Sequence, residues 1–172
     1  EEGRAGRTPT PDAPPPGAPT RRIKGTLTPG FLDLQVNGGG DALLNNDQSA
    51  QALHRMAAAH RRFGTVGILP TVITDAPEVL DRAVSATIAA RGSKGLLGLH
   101  IEGPHLSIPR RGTHASDWVR PFETATLDHV RRLQSGGVFV KVTVAPESVT
   151  PAQVALLVTA GAVVSIGHSD AT

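Results

Sequence analysis

Five short apolar runs, separated by four helix-like stretches, recur along residues 28–172 at intervals of about 30 residues. That rhythm restricts the chain to very few folds. The runs cover residues 31–37, 65–71, 96–102, 138–144 and 162–167, each short enough for a strand and bounded by Gly, Pro or polar residues. Between the first two, Asp47 is placed to cap a helix running to about Phe63, with Leu53, Met56, Ala59 and Phe63 on one face and Gly64 as terminator. Asp75 and Glu78 read as a capping box for a second helix, which runs to about Arg91 before Gly92. Residues 124–135 read as a third helix. Thr150 and Gln153 form another capping box, with Pro151 at the first helical position and Gly161 at the end. Strand and helix in alternation imply a parallel sheet with right-handed crossovers, an α/β fold.

Five strands are enough for an open sheet. They equally make the first part of an eight-stranded (β/α)8 TIM barrel, which typically needs about 250 residues. The sequence stops at Ala171-Thr172, just after the fifth run and with no helix to cover it. That favours a partial barrel truncated after strand 5. Residues 1–27 stand apart: Pro9, Pro11, Pro14, Pro15, Pro16 and Pro19 among Gly, Ala and Thr cannot build a core, so a disordered or linker segment is expected there.

Composition excludes several classes of function. Aromatic residues make up 3% of the chain and the net charge is +2, so the core must rest on Ala, Val, Leu and Ile. Arginines are scattered in pairs and not gathered with aromatics on one face, which argues against a nucleic-acid partner. No apolar run reaches the length of a membrane span, and the N-terminus Glu1-Glu2-Gly3-Arg4 lacks the apolar core of a secretory signal. The absence of cysteine fits a cytoplasmic protein and removes thiolate chemistry.

The polar residues fall at the ends of the runs. Gln35 and Asn37 close the first, Thr71 the second, Glu102 the third and His168 the fifth, while Glu147 lies just past the fourth. In parallel α/β folds these C-terminal strand ends are where chemistry is placed. Glu102 is the sharpest case, because Leu97 to Ile101 reads as a buried strand that stops at a carboxylate followed by Gly103-Pro104. The structural alternative is that Glu102 caps a neighbouring element or pairs with an arginine of the following loop. Glu102 and His168 are suitable ligands for zinc or another divalent ion, but two ligands do not complete a catalytic site. The loop after Glu102 carries His105, His114, Arg110, Arg111 and Arg120, which suits an anionic substrate group or a merely solvated loop. His54, His60 and His129 lie in helical segments and are expected to be exposed. Gly38-Gly39-Gly40 follows a strand, yet Leu43 replaces the third glycine of a dinucleotide fingerprint, so a flexible turn is expected.

Several segments in order carry a family resemblance: residues 29–38 (Pro-Gly-Phe-Leu-Asp-Leu-Gln-Val-Asn-Gly), Leu69-Pro70-Thr71, residues 98–104 (Gly-Leu-His-Ile-Glu-Gly-Pro), Arg111-Gly112-Thr113-His114, Ala145-Pro146-Glu147 and residues 167–172 (Gly-His-Ser-Asp-Ala-Thr). Together they resemble the N-acetylglucosamine-6-phosphate deacetylases of the amidohydrolase superfamily, over residues 28–172. The resemblance implies the N-terminal part of an amidohydrolase TIM barrel, homo-oligomeric when complete. It implies metal-dependent hydrolysis of the acetamide of N-acetylglucosamine 6-phosphate to glucosamine 6-phosphate and acetate. Glu102 and His168 match metal ligands, and Thr113 and His114 match a segment that contacts the substrate. A second metal-binding histidine and the catalytic aspartate are expected beyond Thr172, so no catalytic group is assigned within this chain. Many relatives carry His-x-His where this chain has Gln35-Val36-Asn37. Amides are poor zinc ligands, so a single divalent ion, zinc by expectation, is implied, with Gln35 and Asn37 on the rim of the site. Two alternatives remain: an inactive phosphosugar-binding fragment, and an amidohydrolase acting on a cyclic amide.

Overall fold

A computed structural model describes residues 24–171 together with Gly17 and Pro19. The proline-rich stretch 1–27 lies almost wholly outside the described residues. Five parallel strands form one sheet in the order of the chain: β1 (Phe31–Val36), β4 (Thr65–Ile73), β5 (Gly98–Glu102), β6 (Phe139–Val144) and β7 (Val163–Ile166). Each strand pairs in parallel with the next. Consecutive parallel neighbours require a helical crossover each time. Those crossovers are α1 (Ala50–Arg61), α2 (Pro77–Ala89), α3 (Thr124–Ser135) and α4 (Pro151–Thr159). A sheet that adds strands in one direction, with all its helices outside, curls into half a barrel. The α/β reading and the partial barrel therefore hold.

Local chemistry explains most boundaries and corrects some expectations. The α1 cap is Ser49, whose hydroxyl accepts from the Ala52 amide; Asp47 instead pairs with Arg55 at 2.7 Å. Leu53 and Met56 are fully buried, whereas Phe63, expected on the same face, is 83% exposed beyond the end of the helix. No capping box opens α2, because the chain enters the helix one residue later, with Ala76 as cap and Pro77 in the first turn. Asp75 accepts from the Ala76 amide at 2.7 Å and from Asn45 at 2.9 Å. The capping box of α4 is present, with Thr150 and Gln153 bonded reciprocally. Gly38-Gly39 is not a loose turn: it pairs as β2 with β3 (Ala42–Leu43) in a short antiparallel ribbon.

Proline at position 70 sits inside β4, a place that ordinarily breaks a ladder. The sheet accommodates it with an irregularity in the β1–β4 register between Asp33 and Val36. On the other edge, β4 meets the segment leading into β5 through the isolated Ile68–Leu96 bridge and pairs with β5 itself from Thr71.

Strand β5 positions the site. All five of its residues are buried. Alternation sends Leu99 and Ile101 to one face and His100 and Glu102 to the other. Leu99 and Ile101 join the Val- and Leu-rich core between sheet and helices. His100 lies in the interior with both ring nitrogens engaged, Nδ1 with the Thr71 hydroxyl at 3.1 Å and Nε2 with the Thr143 hydroxyl at 2.7 Å. Thr71 in turn accepts from the Val36 amide at 3.0 Å. One polar layer thus ties β1, β4, β5 and β6 together immediately beneath Glu102.

Two expected outcomes follow from this packing. Burial holds the His100 imidazole down at about 4, so it stays neutral in the fold while the unfolded chain takes up its proton near 6.5. A depressed histidine pKa stabilises the fold fully above about 6.5 and progressively less as pH falls toward about 4. His100→Gln should therefore flatten the fall in stability over that window by up to about 1.4 kcal/mol per pH unit, measured by urea unfolding at stepped pH. An unchanged slope would remove His100 from the acid response. The second outcome concerns the free edge. On β7 and α4, Val163, Ile166, Leu156 and Val158 are exposed, Ile166 to 74%. An open parallel edge beside apolar side chains is an aggregation hazard. Residues 28–172 should associate as concentration rises, and Ile166→Lys with Val158→Lys should reduce it in analytical ultracentrifugation. A monodisperse wild-type monomer would contradict the expectation.

Candidate metal and substrate site

At the C-terminal ends of the strands, Gln35, Asn37, Asn45, Ile73, Glu102, Thr113, His114 and His168 line a cleft of about 390 Å³. Glu102 is its centre. The side chain is 6% exposed, and its Oε1 accepts from Gln35 Nε2 at 2.9 Å and lies 3.0 Å from His168 Nε2. His114 Nε2 is 4.0 Å from Oε2. One ligand atom from each of Glu102, His114 and His168 falls within 4.8 Å of the others, a spacing that can surround a divalent ion.

The two imidazoles are not equivalent, and their outer partners show why. His168 Nδ1 lies 2.9 Å from the Arg110 carbonyl, which can only accept, so Nδ1 carries the proton. Nε2 is then the nitrogen that faces the Glu102 carboxylate. Two electron-rich atoms at 3.0 Å repel unless a proton or a cation lies between them. An imidazole backed by a carbonyl at one nitrogen and bare at the other is the usual state of a metal ligand. His114 is the reverse. The Thr74 amide, an obligatory donor, points at Nδ1 at 3.3 Å, and the Thr74 hydroxyl is 2.8 Å from the same atom. Nδ1 therefore accepts, and Nε2 of the neutral ring carries the proton. Burial is the main reason that the His114 pKa is lowered, which keeps the ring neutral. His114 thus offers a hydrogen-bond donor to the cleft, and the two rings meet edge to face with centroids 4.5 Å apart.

Gln35 and Asn37 line the cleft as the alternation of β1 requires. Gln35 donates its amide to Glu102 and occupies no ligand position of its own. Thr113 lies on the wall beside His114. Other expectations do not survive. His105 is fully buried and bonded to the Arg120 carbonyl and the Thr126 hydroxyl, away from the cleft. The loop arginines have protein partners: Arg110 binds Asp170 at 2.6 Å, Arg111 binds the His114 carbonyl at 2.7 Å, and Arg120 binds Glu123 at 3.1 Å. Glu147 faces Ser169 and Asp170 instead of the cleft. His129 is largely buried between α2 and α3, 3.6 Å from Asp81, which Arg132 also pairs. The sequence reading did not single out Thr74 or Asn45. Asn45 spans the Ile73 backbone and Asp75, and its signal was faint, a lone amide after a two-residue ribbon.

Gly103 permits this arrangement. Its φ is +83°, and a Cβ there would stand 2.2 Å from the Thr74 hydroxyl oxygen. Gly103→Ala should displace Thr74, free the His114 ring and destabilise the fold by about 1 kcal/mol or more. Thermal unfolding and the His114 ring signals in NMR check this. Unchanged His114 signals would contradict it.

A strand–helix half-barrel that gathers a buried carboxylate and two imidazoles at its C-terminal rim has the donor groups to hold a divalent ion where such folds place their chemistry. Comparison with known proteins adds to this. No protein-family model matches the chain. It is 46% identical over 154 residues to an N-acetylgalactosamine-6-phosphate deacetylase of Shewanella sp. (strain ANA-3), covering 88% of this chain and 38% of the relative. It is 37% identical over 148 residues to the N-acetylglucosamine-6-phosphate deacetylase of Haemophilus influenzae, covering 85% of this chain and 38% of that enzyme. Among solved structures, the N-acetylglucosamine-6-phosphate deacetylase from Pasteurella multocida superposes with a TM-score of 0.76 at 34% identity, over 83% of this chain and 38% of that one. The chain therefore resembles these amino-sugar-phosphate deacetylases and spans about 38% of the length of the relatives named here.

Proposed function

We propose that this chain forms the N-terminal part of a metal-dependent deacetylase acting on an N-acetylhexosamine 6-phosphate, releasing acetate and the free amino sugar phosphate. The observation that carries the reading is the apposition of Glu102 and His168, which brings a carboxylate oxygen to 3.0 Å from an imidazole nitrogen whose proton lies on the far side of the ring. In this reading residues 28–172 are the barrel portion and residues 1–27 a linker. Glu102 and His168 hold one divalent ion, zinc by the mixed oxygen and nitrogen donor set. When bound, such an ion polarises an acyl carbonyl and lowers the pKa of water.

The chain's own residues do the remaining work assigned to it. His114 donates Nε2–H toward the acyl oxygen, and Thr113 borders the same wall. Gln35 holds one oxygen of Glu102 by its amide, which fixes the carboxylate and leaves no second histidine pair for a second ion. The aspartate that moves the proton from water to the leaving amine is expected beyond residue 172. N-acetylglucosamine 6-phosphate is the substrate the motifs point to. The identity to the Shewanella enzyme brings in its C4 epimer as the second candidate. Both are phosphorylated metabolites of the cytoplasm, the compartment assigned here. Among the described residues no helix is long and apolar enough to cross a membrane. Assembly into a homo-oligomer belongs to the same proposal.

Metal content decides the central point. After dialysis against zinc, the purified chain should retain no more than one ion, and Glu102→Gln or His168→Ala should lower retention at least tenfold. Two ions per chain, or undiminished uptake by Glu102→Gln, would overturn the assignment. The 172-residue chain should release no measurable acetate from either epimer, with or without zinc. Robust metal-dependent release would mean that the proton-transfer group lies within residues 1–172. Phosphosugar binding that is indifferent to metal and to Glu102→Gln would favour the non-catalytic alternative.

A further inference from the structure

Beyond the cleft, a second carboxylate holds the segment that carries His168. His168 has φ +52°, a left-handed backbone conformation that a non-glycine residue keeps only when its surroundings over-determine it. Three backbone contacts reach the segment: the Gly167 amide donates to the Val144 carbonyl at 3.1 Å, the Ser107 amide donates to the His168 carbonyl at 3.0 Å, and the ring meets the Arg110 carbonyl. The next two residues are both tied to Glu147. The Ser169 hydroxyl donates to Oε2 at 2.8 Å and the Asp170 amide donates to Oε1 at 2.6 Å. Glu147 stands in the single helical turn Pro146–Ser148 just past β6, so it is anchored to the sheet and not to the loop it holds. The Asp170 side chain then pairs with Arg110, the residue whose carbonyl receives the His168 Nδ1 proton.

We propose that Glu147 is a positioning residue for His168. By fixing residues 169 and 170 it keeps His168 in its left-handed conformation and its Nδ1–H on the Arg110 carbonyl, so that Nε2 faces Glu102. This rests on the reading of His168 as a metal ligand. Glu147 touches neither the cleft nor the ring, and its effect travels through the Ser169 hydroxyl and the Asp170 amide, on the two residues that follow His168. The backbone amide of Asp170 is also the main reason that the Glu147 carboxyl is held down to about 2, so the carboxylate keeps this acceptor role through the neutral range.

The test uses the full 172-residue chain with Glu147→Ala, Glu147→Gln and, to identify the ring signals, His168→Ala. In metal-free wild type, nitrogen-15 spectra of the imidazoles should show the His168 Nδ1–H held in a hydrogen bond to the Arg110 carbonyl. Glu147→Ala should weaken that hydrogen bond and shift its signal. Glu147→Gln keeps an acceptor for the Asp170 amide and can donate to Ser169, so it should restore the wild-type pattern. Cobalt(II), titrated by its visible absorption, should bind Glu147→Ala about 10- to 100-fold more weakly than wild type, the usual cost of losing an outer partner. A staple with no bearing on His168 would lower the melting temperature and leave the Nδ1–H signal alone. An Nδ1–H signal unchanged in Glu147→Ala overturns the proposal. Failure of wild type to take up cobalt overturns the metal reading instead, while the ring spectra still decide the role of Glu147.

Discussion

Everything at the rim depends on β5 having no freedom. Its residues are buried on both faces, and both edges are paired, to β4 through Thr71–His100 to Ile73–Glu102 and to β6 from Gly98–Phe139 to Glu102–Thr143. A strand so held cannot slip by one residue, because a slip would send His100 and Glu102 into the helix layer and Leu99 and Ile101 into the interior. Glu102 consequently emerges at a fixed height, and Gly103 turns the chain away immediately above it. The polar layer formed by Thr71, His100 and Thr143 serves the same end. Its hydroxyls give the buried ring a partner at each nitrogen, which removes the cost of an unpaired polar group. Only one register makes both bonds.

How much of this could be read from the sequence follows from how local each signal was. Strand and helix alternation is a local property, so the five strands and four crossovers were legible within a few residues. Thr150 and Gln153 were legible for the same reason, since both halves of that capping box lie within one turn. Asp47 misled because Ser49 took the cap and left Asp47 to pair with Arg55 inside the helix, and Asp75 misled because it found a partner 30 residues away, Asn45. Phe63 misled because periodicity continued past a helix that had already ended. In the site, Glu102 and His168 were visible as strand-end residues. The pairing of His114 with Thr74, 40 residues apart, was not, since only the folded loop brings that imidazole over the end of β4. His105 carried the same sequence signal as His114 and turned out to be structural, so residue type and loop membership alone could not separate them.

The loop that follows β5 and the segment that follows β7 form one mechanical unit. Ser107 bonds the His168 carbonyl, Arg110 receives the His168 ring proton, and the Arg110 side chain clasps Asp170. Through Arg111 the same loop holds the His114 carbonyl. The imidazole assigned to the metal and the imidazole assigned to the acyl oxygen thus hang from one loop, only four residues apart at their points of attachment, Arg110 and His114.

The electrostatics of the cleft argue for where a phosphate would not bind. The loop brings three guanidinium groups close to the rim, which on sequence alone suited an anionic ligand. In the fold each is already engaged, Arg110 by Asp170, Arg111 by the carbonyls of Gly112 and His114, and Arg120 by Glu123 and the carbonyls of Asp75 and Trp118. Turning any of them toward a ligand would break contacts that position His114, His168 or the end of β4. The burial-depressed His114 stays neutral and contributes a dipole, not a charge. Among the described residues lining the cleft, Glu102 is the carboxylate and no guanidinium is present. This half of the rim therefore offers an anionic group no guanidinium that is not already committed to holding the loop, the segment after β7 or the end of β4.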